Sequence, residues 1–250
     1  VRLLTELHPM QDTFSISPVG TLISPFKEKF AVPRQPGLAP SALAYIELRG
    51  DANQLDAVRG IEQFSHLWLL FLFDRNLDKG WSPTVRPPRL GGNERVGVFA
   101  SRATFRPNGI GMSAVELVRV ESTPGQVRLV VRGCDLVNRT PIIDIKPYIP
   151  YSDCLDSAQG GFAQQKPDLM PVHFSNSALA TLSQHPEGTY QRQVIEEVLA
   201  QDPRPAYKKG KPDAKHYAVH LFDFNVRFMV SDDQIHVETI EAFVETPPRC

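Results

Sequence analysis

The chain has 250 residues, 42% hydrophobic and 22% charged, and its 27 Lys and Arg against 28 Asp and Glu leave a formal net charge of -1. That composition is ordinary for a globular protein, and the length allows one large domain or a main domain plus a smaller one. A charge so near zero gives no global field toward nucleic acid or membrane, so a polyanion site must come from local clustering of basic residues. The longest apolar run, Leu67 to Phe73, is far too short to span a bilayer. No basic segment followed by an apolar core opens the chain, so neither a signal peptide nor a membrane partner is expected. Three scattered cysteines, Cys134, Cys154 and Cys250, spell out no disulfide framework and no CxxC metal site. Reduced thiols in a cytoplasmic protein are the expectation.

Residues 1–12 carry no clear periodicity. From Phe14 onward, short β-branched or aromatic runs alternate with Gly, Pro, Asn and Asp. The predicted strands are Phe14–Ile23, Ala44–Leu48, Leu67–Phe73, Val96–Ala100, Ala114–Val120, Val127–Val131 and Pro141–Ile145. Ala114–Val120 alternates well enough to have one wet face, whereas Leu67–Phe73 reads as buried on both faces. Few helical patterns intervene, which disfavours a parallel βαβ sheet and favours a mainly antiparallel barrel. Gly160-Gly161 and the polar stretch Ala163–Pro171 look like a linker. Beyond it Tyr190, Val194, Ile195, Val198 and Leu199 share a helical face, and the helix should stop before Pro203. Tyr217–Phe224, Val226–Val230 and Gln234–Ile240 read as strands, with a hairpin turn at Asp232-Asp233. The expected organisation is a mainly β fold: a single-sheet antiparallel β-barrel over residues 13–162 and a small α+β domain over residues 172–250.

Gly109-Ile110-Gly111-Met112-Ser113-Ala114 has the outline of a dinucleotide-binding glycine pattern, but that chemistry needs a strand before it and a helix after it. Here a strand-like alternation follows, so a Rossmann site is rejected. His216 and His220 have the spacing of a helical metal pair, yet their segment reads as a strand, which would set them about 13 Å apart. One zinc cannot bridge that distance, and no metal site, GxSxG elbow or P-loop is expected.

Four stiff, polar clusters lie between strands: Pro33-Arg34-Gln35-Pro36-Gly37, Arg86-Pro87-Pro88-Arg89-Leu90-Gly91-Gly92, Arg102-Ala103-Thr104-Phe105-Arg106-Pro107-Asn108, and Asp144-Ile145-Lys146-Pro147-Tyr148. Any one alone is best read as a rigid surface loop with solvated arginines. Four together suit carboxylate or phosphate recognition on a rigid β scaffold.

In this order, together with Phe30-Ala31-Val32, His66-Leu67-Trp68 and Gly97–Asn108, these clusters resemble the TrmO (TsaA-like) family of tRNA methyltransferases. The resemblance runs from about Gly20 to Tyr151, and Gln201-Asp202-Pro203-Arg204-Pro205-Ala206-Tyr207 adds a second stretch. Two departures stand out. Gly109 replaces a family proline and should loosen its loop, and Asn138-Arg139-Thr140 stands where the family favours Asp-Gly-Thr. The resemblance implies a β-barrel rather than a Rossmann fold, and a homodimer with S-adenosylmethionine near the subunit interface. It implies methylation of threonylcarbamoyladenosine at the position just 3′ of the anticodon of threonine-decoding tRNA. Cofactor binding carries over to Pro33, Arg34, Gln35, His66, Leu67, Arg102, Leu117, Asp144, Ile145, Lys146 and Pro147. Asp144, between Ile143 and Ile145, should be partly buried and need a partner, either Lys146 or the cofactor's amine.

Methyl transfer from a sulfonium is an in-line displacement that needs no metal and no covalent intermediate, so alignment carries much of the acceleration. A base, a water or the substrate's own carboxylate would take the proton from the target nitrogen; the catalytic residue is left unassigned. Arg86, Arg89 and Arg106 are candidates for the threonyl carboxylate or for phosphates. Arg204, Tyr207, Lys208 and Lys209, with Lys211, suggest a tRNA contact in the small domain. The competing reading is a non-catalytic RNA-binding module, which explains the basic loops but not the cofactor-type clusters.

Overall fold

The computed structural model describes residues 13–205, 208–209 and 213–243. Two sheets carry its architecture. The first half holds strands β1 (Gly20–Ile23), β2 (Leu43–Leu48) and β3 (His66–Leu72), a one-turn helix α1 (Asp74–Leu77), a two-stranded ribbon of β4 (Thr84–Val85) and β5 (Val96–Gly97), then β6 (Ile110–Thr123), β7 (Gln126–Arg132) and β8 (Pro141–Pro147). Six of these close into a barrel in the order β1-β2-β7-β6-β3-β8. Every neighbouring pair is antiparallel, and Gly20 opposite Ile142 closes the ring. Side chains alternate across each strand. Ala44, Ile46 and Leu48 of β2, Leu67, Leu69 and Phe71 of β3, Val115 of β6, and Leu129 and Val131 of β7 fill the interior.

The barrel is the expected one, with three local corrections. The first strand covers only Gly20–Ile23; Pro18 lacks the N–H a ladder needs, so the chain joins the sheet after it. Val96–Ala100 is a strand only at Val96–Gly97, and Val98–Ala100 is a 3-10 turn. Nor is β3 buried on both faces: Trp68, Leu70 and Leu72 face outward and are half-exposed. The glycine pattern at 109–114 runs into the long β6, as its alternation required.

Gly109 is no loose link. It is buried with φ +60°, its N–H donates to Arg106 O at 3.1 Å and its carbonyl accepts from Phe73 N at 2.7 Å. A Cβ there would meet Leu77 Cδ2 at 2.5 Å, so glycine allows a tight turn that proline, with φ fixed near -65°, cannot make. Arg139, at the other departure, has φ 69°, a left-handed backbone in which a Cβ is strained. Arg139→Gly is therefore expected to stabilise the fold by roughly 0.5–1 kcal/mol, seen as a higher urea midpoint at unchanged slope.

Beyond the one-turn helix α2 (Pro150–Asp153), the second sheet has the order β10-β11-β12-β9, built from β9 (Val172–Phe174), β10 (Asp213–Leu221), β11 (Phe224–Ser231) and β12 (Gln234–Ala242). Between β9 and β10 lie α3 (Asn176–Ser183) and α4 (Gly188–Leu199). The sequence reading did not include α3; it starts at an N-cap in which Ser175 Oγ accepts from Ala178 N at 3.1 Å. On α4, Val194, Ile195, Val198 and Leu199 are buried as expected. Asp232 and Asp233 have φ 50° and 55°, the conformation a two-residue hairpin favours.

The two sheets share one core. Helix α4 holds the loop before β2: Glu197 accepts from Ser41 N at 2.9 Å and Ser41 Oγ at 2.6 Å, Tyr190 OH accepts from Leu43 N at 2.9 Å, and Gln201 Nε2 donates to Leu38 O at 3.0 Å. Leu221 bridges to Phe26, and the buried residues of both sheets form a continuous cluster.

Candidate active site

The barrel register sorts the candidate residues into two clusters. The loop ending at β2 carries Pro33, Arg34 and Gln35, and the loop ending at β6 carries Arg102. Leu43, where β2 starts, is opposite Arg132, where β7 ends, and Ile110, where β6 starts, is opposite Leu72 of β3. Strand direction puts the starts of β2 and β6 on the same end of the barrel as Leu72, while the shear of the barrel leaves Leu43 level with His66 through Arg132 and Glu116. Arg102 Nη1 donates to Gln35 Oε1 at 2.8 Å, joining the two loops. Gly37 N donates to Gly133 O at 2.8 Å, which fixes the Pro33–Gly37 loop against the segment after β7. Pro33 is buried, Arg34 exposed and Gln35 half-buried. Arg34 Nη2 lies 3.5 Å from Arg204 O, so the C-terminal unit borders this cluster.

The second cluster forms at the opposite end of β3. His66 is exposed, and its Nδ1 lies 2.9 Å from Ser65 Oγ. Leu117 N donates to Ser65 O at 2.8 Å, and Tyr148 N to His66 O at 2.9 Å. Leu67 is opposite Pro147 and Trp68 opposite Lys146. Leu67 is fully buried in the barrel, so only its backbone can meet a ligand. Trp68 and Tyr148 stack at a tilt, 5.4 Å between centroids, and Trp68 Nε1 donates to Asp153 Oδ2 at 2.8 Å. Asp144 is half-exposed: Oδ2 pairs with Lys146 Nζ at 2.9 Å, and Oδ1 accepts from Ile145 N at 2.9 Å. Of the two expected partners, Lys146 is the one paired with it in this ligand-free chain.

The candidate tRNA residues divide differently. Arg86 and Arg89 are exposed, and Arg89 Nη1 donates to Gln165 O at 2.5 Å. Arg106 turns inward: its Nη1 donates to Ser101 O at 2.7 Å and Val98 O at 3.2 Å, which braces its own loop. Arg204 is a correction. Only 2% exposed, it makes a two-point ion pair with buried Asp202, Nε to Oδ1 at 2.8 Å and Nη2 to Oδ2 at 3.0 Å. A guanidinium so enclosed cannot reach a phosphate. Lys208 is half-buried, while Lys209 is exposed with Nζ 3.3 Å from Gln201 O. Tyr207, Lys211 and Cys250 lie outside the described residues.

The sequence reading missed Asp135. Its Oδ1 accepts from Ser113 Oγ at 2.6 Å, and burial pushes its carboxyl up to about 6 against the pull of that hydroxyl and of Arg102. The neighbouring Cys134 thiol is buried and pushed up to about 12, so it stays protonated.

Residues 21–154 match the tRNA-methyltransferase O N-terminal domain, and residues 167–243 match the TrmO C-terminal domain. The chain is 52% identical to the tRNA (adenine(37)-N6)-methyltransferase of Escherichia coli strain K12 over 234 residues, 92% of this chain and 98% of that protein. To the protein of the same name from Eikenella corrodens it is 41% identical, over 72% of this chain and 98% of the other. The crystal structure of TrmO from Pseudomonas aeruginosa superposes with a TM-score of 0.76 at 39% identity, covering 92% of this chain and 99% of that one. Both family domains are present in order on the fold they should have, so the chain belongs to the TrmO family of S-adenosylmethionine-dependent tRNA methyltransferases.

Proposed function

We propose that the protein methylates N6 of adenosine 37 of threonine-decoding tRNA, acting in the cytoplasm on the threonylcarbamoyl-modified form of that base. The observation that carries this reading is the pair of polar clusters at the two ends of β3, complementary to the parts of S-adenosylmethionine. Arg102 with Gln35 offers charged and amide donors to a carboxylate, the Asp144–Lys146 pair offers both charges, and His66, Trp68 and Tyr148 offer aromatic faces to adenine. Bound S-adenosylmethionine supplies an electrophilic methyl group on its sulfonium. The protein's task is to hold that methyl in line with the target nitrogen and to keep water away.

The same geometry supports a homodimer. The Arg102 loop leads into Ile110, which is opposite Leu72, whereas His66 is at the other end of seven-residue β3, about 20 Å from Leu72 along the strand. Two cavities of one chain hold about 210 and 170 Å³, below the roughly 300–1,000 Å³ of ligand sites. In a twofold pair, one end of β3 from each copy completes a site. Arg86 and Arg89 would face the anticodon arm with Trp81 and Phe99, which are 52% and 77% exposed and suited to stacking on unpaired bases. No helix among the described residues is long and apolar enough to cross a membrane.

Transfer of labelled methyl to threonine tRNA, with and without the threonylcarbamoyl group, tests the substrate. Labelling is expected only with the modified tRNA. Equal labelling of an unmodified transcript would overturn that specificity.

A further inference from the structure

Methyl transfer to an N–H group releases a proton, and the carboxylates bordering the two clusters differ in their freedom to take it. Asp144 is paired with Lys146 and Glu116 with Arg132. Asp202 is locked to Arg204 in the interior. Asp153 accepts both the Trp68 indole and Ile149 N. Asp135 has a different setting. Its hydrogen-bonding side-chain partner is a neutral hydroxyl, Ser113 Oγ, itself 2% exposed and held inside the barrel wall. The segment that carries it is tied to the Pro33–Gly37 loop by Gly37 N to Gly133 O at 2.8 Å, and to the residue before β2 by Gly133 N to Ala42 O at 3.1 Å. Arg102, bonded to Gln35, is the cation that acts on it.

We propose that Asp135 is the proton acceptor of the methyl transfer, a catalytic residue that touches the target nitrogen in the loaded complex. This inference rests on the methyltransferase reading given above. In the step, the nitrogen lone pair forms the N–CH3 bond as the CH3–S bond breaks, and the bonding pair stays on sulfur as a neutral thioether. The N–H proton passes to the Asp135 carboxylate, which becomes a carboxyl and returns the proton to water as products leave. The charged and titratable groups facing Asp135 are Arg102 from the loop before β6 and Cys134 from its own segment, with the Ser113 hydroxyl on β6. Ser113 holds Oδ1 and the backbone N–H of Asp135 itself also bears on the carboxylate, so the substrate's proton is assigned to Oδ2. A carboxyl raised to about 6 is ionised at neutral pH yet basic enough to hold a proton briefly.

Asp135→Asn keeps an oxygen acceptor for Ser113 and removes the basicity. With full-length protein and modified threonine tRNA, kcat should fall roughly 10²–10⁴-fold. S-adenosylmethionine affinity by calorimetry should change less than about twofold, because the lost group acts in the transition state rather than in binding. In the free protein with ¹³C-labelled aspartate, one carboxyl resonance should titrate near 6 and be missing from the variant. The parent's kcat should rise with pH through the same region, and the variant's should not. If Asp135→Asn retains kcat, the inference is overturned. If it loses cofactor affinity but not kcat, Asp135 is a ligand for the cofactor and the inference is likewise overturned. A parent that methylates no tRNA overturns the broader reading and this inference together, whereas an unchanged variant of an active parent overturns this inference alone.

Discussion

Arg204→Ala is expected to cost about 3–5 kcal/mol of unfolding free energy, because it leaves the buried Asp202 carboxylate without its guanidinium. Asp202 is 5% exposed, and Arg204 bonds it through Nε, Nη2 and the backbone N–H. Urea unfolding should show a lower midpoint at unchanged slope. The double change Asp202→Asn with Arg204→Met should recover part of the loss, since it removes both charges instead of stranding one. The pair also lies under the first polar cluster, where Arg204 O faces Arg34, so weaker S-adenosylmethionine binding should accompany the loss of stability. A cost under about 1 kcal/mol would mean that Asp202 finds water or another cation when Arg204 is removed.

The second large effect is complementation between inactive variants. Arg102→Ala damages the cluster at the Leu72 end of β3, and Asp144→Ala removes the carboxylate paired with Lys146. Each variant alone should lose most of its methyl transfer. If each site draws on both copies, subunit exchange in an equal mixture makes heterodimers in which one site carries both changes and the other carries neither. Half of the dimers are then mixed and half of their sites intact, so about a quarter of the parent activity should return. No recovery after demonstrated exchange would place both clusters in the same chain's site.

Much of the barrel was legible from strand-length apolar runs and the turns between them, because a half-buried strand writes its burial into alternate residues. Its edges were less so: Pro18 ends the pairing of the first strand, and the turn at Val98–Ala100 has the composition of a strand. The candidate site was legible where chemistry and position coincide, as in Asp144-Ile145-Lys146. It was illegible where register decides. From the hairpin end, Thr123 opposite Gln126 would set Ser113 against Leu136. A bulge between Leu117 and Arg119 moves the register by one, to Glu116 opposite Arg132, and Ser113 meets Asp135 instead. Arg204 shows the opposite failure. Beside prolines and lysines it reads as a solvated basic residue, but the left-handed backbone at Asp202, φ 49°, folds the segment so that the guanidinium runs back onto the carboxylate.

The proposed reaction is methyl transfer from S-adenosylmethionine to the modified adenosine at position 37. Mass spectrometry of nucleosides is its most direct test, applied to threonine tRNA incubated with the protein and S-adenosylmethionine. Threonylcarbamoyladenosine should be depleted as a nucleoside heavier by one methyl group appears, with the added methyl on N6 of the residue at position 37. Unchanged threonylcarbamoyladenosine beside an intact, folded protein that binds S-adenosylmethionine would contradict it.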